Sequence, residues 1–267
     1  KTFTVKRGLI MNYTFDFENK GILITGAASG IGLEATRAFL QNKAEIFMAD
    51  YNEKALKESA EILRSEYPDR KISTFICDIT DAESRKKLAS DIKVQGGNVD
   101  ILINNAGMAH SAYSIYEKQE DWERVISLNL TAQFFMAQVI ANEFFIPQKK
   151  GKIVNSCSLS GIMGIPGAVA YSASKGGVMQ MTKSLACEWA RFGITVNSVC
   201  PGFVDTPLIA DNMSNEKWVS YMTMRTPMRR LANPDDVAGS ILFFASHMAD
   251  YVTGASIVVD GGFSSGS

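Results

Sequence analysis

Short apolar runs alternate with stretches of helical periodicity along most of the chain. The runs are continuously apolar, as is typical of parallel strands covered on both faces. They predict strands near residues 21–25, 44–49, 72–77, 100–103, 151–156, 194–199 and 256–259. Over 267 residues, this alternation favours one α/β domain rather than two small ones. The sequence therefore predicts a doubly wound parallel sheet of about seven strands with helices on both faces.

A glycine-rich turn follows the first apolar run. Gly26, Gly30 and Gly32 stand between the predicted strand 21–24 and a helical pattern over residues 31–41. The spacing G-x-x-x-G-x-G differs from the common G-x-G-x-x-G, but it permits the same tight turn and close backbone approach. A helix that begins there presents free N–H groups to a pyrophosphate. The turn therefore predicts a dinucleotide site.

An acidic residue ends the second predicted strand. Asp50 lies eighteen residues after Gly32, near the spacing at which an acid binds the adenosine ribose hydroxyls. A carboxylate there would repel a 2′-phosphate, Tyr51 follows instead of a basic residue, and no basic residue lies between Gly26 and Gly32. These features favour NAD over NADP. The alternative is that Asp50 simply ends a strand.

Three residues suited to acid–base chemistry lie in one short stretch. Tyr171 and Lys175 are four residues apart, so on a helix they share a face, and Ser158 follows the apolar run 151–155. A phenol titrates near ~10, and an adjacent cation lowers that pKa towards a value useful at neutral pH. The set is suited to polarise a carbonyl or deprotonate an alcohol, although a tyrosine–lysine pair also arises by chance.

Taken together, these motifs resemble those of the short-chain dehydrogenase/reductase family. The matching features run from about Phe17 to Phe263. Besides the motifs above they are Asp78 after a strand, the run Asn104–Gly107, Asn129, and Pro201-Gly202 followed by Thr206. The resemblance implies a single Rossmann-type domain. One departure is Cys157, which replaces a serine usual in the family beside the catalytic serine.

The resemblance implies a role for each matched residue. Asn129 would hold a water on a proton relay, Ser158 would orient the substrate oxygen and Tyr171 would be the acid or base. Lys175 would bind the nicotinamide ribose and lower the pKa of the tyrosine. The implied cofactor contacts are Gly26, Ser29, Gly30, Ile31, Gly32, Asp50, Tyr51, Cys77, Asp78, Ile79, Asn105, Ala106, Gly107, Tyr171, Lys175, Pro201, Gly202, Val204 and Thr206.

The segment over residues 204–233 is the least regular part of the chain. In the resembled family it is a mobile lid over the substrate, and its aromatic residues and methionines suit an adaptable apolar wall. Alternatively, they only pack two lid helices on the body. The candidate substrate contacts are His110, Ser160, Met163, Phe203 and Trp218. For His110, a surface or capping position is the alternative.

These observations predict an NAD(H)-dependent oxidoreductase that interconverts a small secondary alcohol and its ketone. The resemblance is nearest to polyol and sugar-acid dehydrogenases, such as the gluconate 5-dehydrogenase-like members, and it implies a homotetramer. One alternative is a 3-oxoacyl-acyl-carrier-protein reductase that uses NADP. Another is a nucleotide-binding scaffold or redox sensor without turnover, although a sensor has no need of all four catalytic positions.

Composition narrows the range of partners. The net charge is −1 and the basic residues are scattered, so no nucleic-acid footprint is evident. With two histidines and no metal-ligand spacing among the four cysteines, no metal site is expected. The cysteines read as free thiols of a cytoplasmic protein, and no apolar run approaches the length of a membrane span. Residues 1–16 read as an N-terminal leader or extension, and residues 17–267 as the domain.

Overall fold

A computed structural model describes residues 14–266 and contains one sheet of seven parallel strands. The prediction of a single doubly wound α/β sheet is thereby confirmed. Residues 1–13, which hold most of the predicted leader, lie outside the described residues. The strands are β1 Gly21–Thr25, β2 Glu45–Asp50, β3 Ile72–Ile76, β4 Ile101–Asn104, β5 Gly151–Ser156, β6 Ile194–Pro201 and β7 Ser256–Val259.

The strand order is β3-β2-β1-β4-β5-β6-β7, so the direction of winding reverses between β1 and β4. In doubly wound sheets, a crevice for ligands opens outside the carboxyl ends of the strands at that reversal. The register brings the end of β1 beside that of β2, where Thr25 pairs with Ala49. Asn104 likewise pairs with Asn155 at the ends of β4 and β5. Every strand end that the sequence singled out therefore lies on one edge.

Helices cover both faces of this sheet. They are α1 Gly30–Gln41, α2 Glu53–Glu66, α3 Ala82–Val94, α4 Gln119–Gln148, α5 Val169–Trp189, α6 Ala210–Met213, α7 Glu216–Arg225 and α8 Pro234–Ala245. Buried side chains of α1, α2 and α8 form one apolar core with β1 and β2. Those of α3, α4 and α5 form a second core on the opposite face. The central strands β1, β4, β5 and β6 are almost entirely buried because helices cover both of their faces, whereas the edge strands β3 and β7 are partly exposed.

The helix α4 is 30 residues long and apolar enough to meet the length and composition of a membrane span. The sequence predicted no apolar run of that length, and polar residues such as Asn129, Gln133 and Gln138 do interrupt this helix. Moreover, 44% of its most apolar window is buried within the protein. Its buried residues, among them Met136 and Ile140, belong to the core that α3 and α5 share. A core helix meets the same criterion, so the finding is weak evidence for a membrane.

The segment between β6 and α8 is closed at its base by main-chain hydrogen bonds. The Asp205 N–H donates to the Ala232 carbonyl at 2.8 Å, and the Ala232 N–H donates to the Phe203 carbonyl at 2.9 Å. A short 3₁₀ turn, α6 and α7 lie between these points. Beyond them, α8 begins with a capping box in which Asn233 and Asp236 satisfy each other's backbone N–H groups. The lid segment thus has a fixed base and a fixed end.

The four cysteines are free thiols. Cys77, Cys157 and Cys200 are buried, and Cys187 is exposed. Within residues 14–266, no group of three histidine, cysteine or acidic side chains is placed to hold a metal ion.

Candidate active site

A cleft of about 270 Å³ opens at the carboxyl edge where the strand order reverses. It adjoins a cavity of about 150 Å³, which contains Ser158, Tyr171 and Lys175. We call the larger space the nucleotide cleft and the smaller one the reaction cavity. Both are bordered by Ile31, Asn105, Gly107, Thr206 and Leu208. They therefore form one continuous site, in which the nucleotide cleft leads into the reaction cavity.

The glycine turn forms one wall of the nucleotide cleft. Gly26 and Gly30 adopt positive φ angles of +64° and +53°, which favour glycine. A Cβ on Gly32 would lie 2.1 Å from the Gly26 carbonyl oxygen, so a side chain there would clash with the turn. Ser29 precedes α1 without a side-chain cap, and the first turn of the helix holds no acidic residue. The N–H groups of that turn therefore suit a pyrophosphate.

Asn105 and Thr25 fix the turn to the centre of the sheet. The Thr25 hydroxyl oxygen accepts from the N–H groups of Asn105 and Ala106 at 3.0 and 3.1 Å. The Asn105 amide donates to the carbonyls of Thr25 and Gly26 at 3.1 and 3.2 Å. Its oxygen accepts from the Ser156 hydroxyl at 3.0 Å. This network connects β1, β4 and β5. It therefore fixes the glycine turn of the nucleotide cleft relative to the reaction cavity.

The far end of the nucleotide cleft is acidic. Asp50 is only 8% exposed, and its carboxylate accepts from the N–H groups of Ala28 at 3.1 Å and Asn52 at 3.0 Å. Asp50, Tyr51, Cys77, Asp78 and Ile79 all border this cleft. Among the described residues that line it there is no lysine or arginine. The lining therefore fits a nucleotide with free ribose hydroxyls better than one with a 2′-phosphate.

Ser158, Tyr171 and Lys175 meet at the reactive end. The Lys175 ammonium donates to the Ser156 carbonyl at 2.8 Å and lies 5.6 Å from the centre of the Tyr171 ring. The Ser158 hydroxyl oxygen accepts from the Ser160 N–H at 3.1 Å, which leaves its proton free to donate. The extended backbone of Ser158 follows β5, and the one-turn spacing on α5 places Tyr171 and Lys175 on the same side.

Burial dominates the acid–base properties of this group. It raises the pKa of Tyr171 to about 12, and a hydrogen bond with Ser158 opposes the shift. Burial lowers the pKa of Lys175 to about 8. The sequence predicted a tyrosine pKa lowered by the lysine, whereas burial raises it. The reason is that the ammonium is bound to the Ser156 carbonyl and the phenol is removed from water.

Asn129 lies in a π-helical turn, Ser127–Ala132, within α4. It is fully buried, and its amide is bound to the main chain of Met108. A Cβ on Gly107 would lie 3.1 Å from the Asn129 amide oxygen and 3.6 Å from the Lys175 ammonium. The structure therefore brings Asn129 to the edge of the reaction cavity. Such π turns occur often at functional sites, and no sequence signal predicted this one.

Close packing of α5 explains its small residues. A Cβ on Gly177 would lie 2.7 Å from the Leu130 side chain of α4, and one on Gly161 would lie 2.8 Å from the Lys175 carbonyl. A side chain at position 177 would therefore displace the Leu130 side chain, because α4 passes against α5 there.

The structure separates the candidate substrate residues. Ser160 and Phe203 border the reaction cavity. Trp218 lies behind Phe203, with ring centres 5.4 Å apart. His110 and Met163 are not among the lining residues, and the His110 Nε2 lies 3.0 Å from a carboxylate oxygen of Glu117. Sequence reasoning did not name five apolar residues that line the cavity, namely Met108, Ala109, Leu159, Leu208 and Ile209.

A glycine turn that suits a dinucleotide, continuous with a Ser–Tyr–Lys cavity, defines a nucleotide-dependent oxidoreductase of the α/β class. A family model described as enoyl-(acyl carrier protein) reductase matches residues 26–264. The chain is 39% identical to a 3-oxoacyl-[acyl-carrier-protein] reductase of Thermotoga maritima, over 92% of this chain and 98% of that one. It is 32% identical to the gluconate 5-dehydrogenase of Gluconobacter oxydans, over 93% of this chain and 96% of that one.

A solved structure shows the same fold. It is a gluconate 5-dehydrogenase from Burkholderia cenocepacia in complex with NADP and tartrate. The TM-score is 0.90 at 31% identity, covering 95% of this chain and 98% of that one. The protein therefore belongs to the short-chain dehydrogenase/reductase family, whose members are oxidoreductases that bind a nicotinamide cofactor.

Proposed function

We propose that this protein interconverts a small secondary alcohol and its ketone with NAD(H), and that Tyr171 is the acid or base. The observation that carries the proposal is the shared position of Ser158, Tyr171 and Lys175 in a cavity continuous with the nucleotide cleft. Four side chains suited to one reaction meet there if Asn129 is included. A scaffold without turnover would gain nothing from this arrangement.

In this proposal the chain binds the cofactor through the α1 N-terminus, Asp50, the 77–79 segment and the 201–206 segment. When bound, the nicotinamide ring supplies the hydride acceptor for alcohol oxidation. The Ser158 hydroxyl donates to the substrate oxygen and holds it near the Tyr171 phenol. As a phenolate, Tyr171 Oη takes the hydroxyl proton in oxidation, and as a phenol it gives that proton to the ketone oxygen in reduction. The Lys175 ammonium stabilises the phenolate as it forms, because opposite charges attract strongly in a buried site.

NAD is the preferred cofactor in this proposal. The Asp50 carboxylate borders the nucleotide cleft, and the lining residues that the structure describes include no lysine or arginine. A 2′-phosphate would meet a negative charge and no positive one. The Burkholderia cenocepacia gluconate 5-dehydrogenase was solved with NADP, and a comparison of kcat/KM for NAD and NADP tests the preference of this protein.

The relatives suggest two substrate classes. The gluconate 5-dehydrogenases support a polyol, sugar or sugar acid, as the sequence resemblance does. The Thermotoga maritima relative, at 39% identity, supports reduction of a 3-oxoacyl thioester as the second candidate function. Both reactions use the same proton transfer at Tyr171, so the catalytic proposal holds for either class.

The test is a Tyr171→Phe variant with a matched Tyr116→Phe control, since Tyr116 is 74% exposed and does not border the cleft. Removing the phenol proton should lower kcat by roughly 10²–10⁴-fold, while NADH binding, followed by fluorescence titration, should persist. The control should keep full activity. Full turnover by Tyr171→Phe would contradict the proposal and favour a scaffold or sensor.

We also propose a cytoplasmic homotetramer with residues 204–233 as a substrate lid. The resemblance to the family supports the tetramer, and the free buried thiols suit a reducing compartment. The fixed base of the lid segment at Phe203 and Ala232 suits a flap that moves as a unit. A monomer in light scattering at micromolar concentration would contradict the tetramer.

A further inference from the structure

The wall of the reaction cavity is mostly hydrocarbon. Apart from glycine and proline, the side chains that border it form a reactive group, an apolar group and a few polar residues. With Ile31 and Val204 left to the cofactor, the apolar group consists of Met108, Ala109, Leu159, Phe203, Leu208 and Ile209. It comes from three separate parts of the chain: the loop after β4, the turn after β5 and the segment after β6. An apolar surface assembled from three segments is a property of the cavity as a whole.

Most polar side chains in this wall already have partners. The Asn105 amide is bound to Thr25, Gly26 and Ser156, and the Ser156 hydroxyl donates to Asn105. The Thr206 hydroxyl contacts the Val204 carbonyl at 3.4 Å. The hydroxyls left for a substrate are those of Ser158, Tyr171 and Ser160. The reacting oxygen would bond to Ser158 and Tyr171, so Ser160 alone would remain for any other polar group.

The charge of the wall is equally restricted. Among the described residues that border the reaction cavity, Lys175 is the sole charged side chain. Its ammonium is committed to the Ser156 carbonyl and lies beside Tyr171. A substrate carboxylate would therefore find no separate cation. Burying a charge without a partner is strongly unfavourable.

A polyol would also lose hydrogen bonds on entering the cavity, although it carries no charge. Each hydroxyl beyond the reacting one would give up its hydrogen bonds to water, and only the Ser160 hydroxyl remains to bond with it. An unsatisfied buried hydroxyl lowers affinity by roughly tenfold or more. A hydrocarbon group, in contrast, gains from contact with this wall because its burial removes apolar surface from water.

We infer that the reaction cavity takes an uncharged ketone or secondary alcohol whose reacting carbon carries hydrocarbon groups, and that it excludes sugar acids and polyols. This inference rests on the proposed function, because it names the substrate class of the same site. Two sources share this chemistry: a free aliphatic or alicyclic ketone, and the 3-oxoacyl end of a thioester. The thioester arm would extend past Leu208, which is half-exposed at the edge of the cavity.

The first experiment compares cyclohexanol, myo-inositol and gluconate as substrates with NAD. Cyclohexanol and myo-inositol share a six-carbon ring and differ only in the additional hydroxyls, so their ratio measures the polarity of the cavity. We expect kcat/KM for cyclohexanol to exceed that for either polar compound by at least about tenfold. The reverse reaction, with cyclohexanone and an N-acetylcysteamine 3-oxobutanoyl thioester, distinguishes the two sources.

A charge variant supplies the second test. Ile209 borders the reaction cavity from the lid, whereas Ile115 is 80% exposed and does not border it. Ile209→Lys should shift the preference from cyclohexanol towards gluconate by at least about tenfold, because it places a cation in the wall. The matched Ile115→Lys change adds the same charge elsewhere and should leave the preference unaltered.

Binding separates this inference from the proposed function. Cyclohexanone is titrated calorimetrically into the NADH-loaded protein, and myo-inositol and gluconate are tested as competitors. Binding of cyclohexanone without turnover would support the substrate class and contradict the proposed catalysis. A preference for myo-inositol or gluconate in turnover or binding would overturn the inference, as would a failure of cyclohexanone to bind.

Discussion

The side-chain amide of Asn129 is paired with the main chain of Met108 through both of its polar atoms. Its oxygen accepts from the Met108 N–H at 2.8 Å, and its nitrogen donates to the Met108 carbonyl at 2.9 Å. A third, longer contact of 3.3 Å reaches the Ser174 hydroxyl. Asn129 therefore holds the Gly107–Met108 segment, which borders the reaction cavity, against α4 and α5. The predicted relay water remains a prediction.

Asn129→Ala should lower both stability and turnover. It leaves the Met108 N–H and carbonyl without partners, and each unsatisfied buried group costs about 1–3 kcal/mol. Turnover should fall because Gly107 and Met108 border the reaction cavity. Urea unfolding and steady-state kinetics measure the two effects. Asn98→Ala is the control, because the Asn98 amide makes an exposed contact with Gln148. Equal unfolding midpoints for the two variants would contradict this role of Asn129.

Lys175 should make the free protein more stable as the pH rises from 8. Burial lowers its pKa from 10.5 to about 8. Between these values the unfolded chain holds a proton that the folded protein has released, so the free energy of unfolding increases with pH. The Lys175 contribution, taken as the difference between the wild type and Lys175→Met, should reach about 2 kcal/mol by pH ~9.5, whereas the buried thiols of Cys77 and Cys200 act in the opposite sense in both proteins. Urea unfolding at pH ~7.5 and ~9.5 measures it, and Lys175→Met should abolish it.

The matched control for this experiment is Lys57→Met, which removes an exposed lysine of α2. It should leave the pH dependence unchanged. Tyr171 acts in the opposite sense at higher pH: its pKa is raised to about 12, so the folded protein keeps a proton that the unfolded chain loses above pH ~10. The higher pH of the experiment, ~9.5, is therefore chosen below the range in which Tyr171 affects stability. A rise in stability that persists in Lys175→Met would contradict the assignment.

Asp50 should control the choice of cofactor. In an Asp50→Asn/Tyr51→Arg variant, the amide oxygen can still accept from Ala28, the repulsion of a 2′-phosphate is lost and a cation is gained. The ratio of kcat/KM for NADP to that for NAD should rise by roughly tenfold or more, since a charge-assisted contact replaces a repulsive one. Asp69→Asn changes the same charge at an exposed site and is the control. A wild-type preference for NADP would overturn the interpretation of Asp50.

Features set by local sequence were predictable. Strands buried on both faces must be apolar throughout, and each predicted strand lies within two residues of an observed one. The glycine turn was also predictable from the sequence, because its conformation requires glycine. Gly26 and Gly30 adopt positive φ angles, and a side chain at Gly32 would clash. The spacing of Tyr171 and Lys175 on one helix was also sufficient to place both side chains in the same cavity.

Features set by packing were not predictable. The π-helical turn around Asn129 is one short widened turn within a long helix, so it is too short to leave a periodicity of its own in the sequence. The pKa of Tyr171 depends on burial, which spacing does not report. His110 follows the Asn-Asn-Ala-Gly run closely, but a contact with Glu117 holds it away from the reaction cavity. The apolar wall joins three distant segments, so only the fold revealed it.

Trp218 should hold Phe203 in position as a wall of the reaction cavity. The Trp218 ring meets Phe203 edge to face, with centres 5.4 Å apart, and Phe263 contacts Phe203 from 5.1 Å. An aromatic pair of this kind contributes about 0.5–1.5 kcal/mol. Trp218→Ala should therefore raise KM for the alcohol by roughly twofold to tenfold.

Steady-state kinetics with saturating NAD measures this change, and Trp122→Ala on α4 is the matched control. Trp122 is 37% exposed and does not border the cavity, so its removal should leave KM unaltered. Phe203→Leu tests the same wall directly: it keeps an apolar surface but loses both ring contacts, so it should raise KM at least as much as Trp218→Ala. An unchanged KM in both variants would mean that the substrate does not touch Phe203, and the cavity wall would then have to be assigned to Leu159 and Ile209 instead.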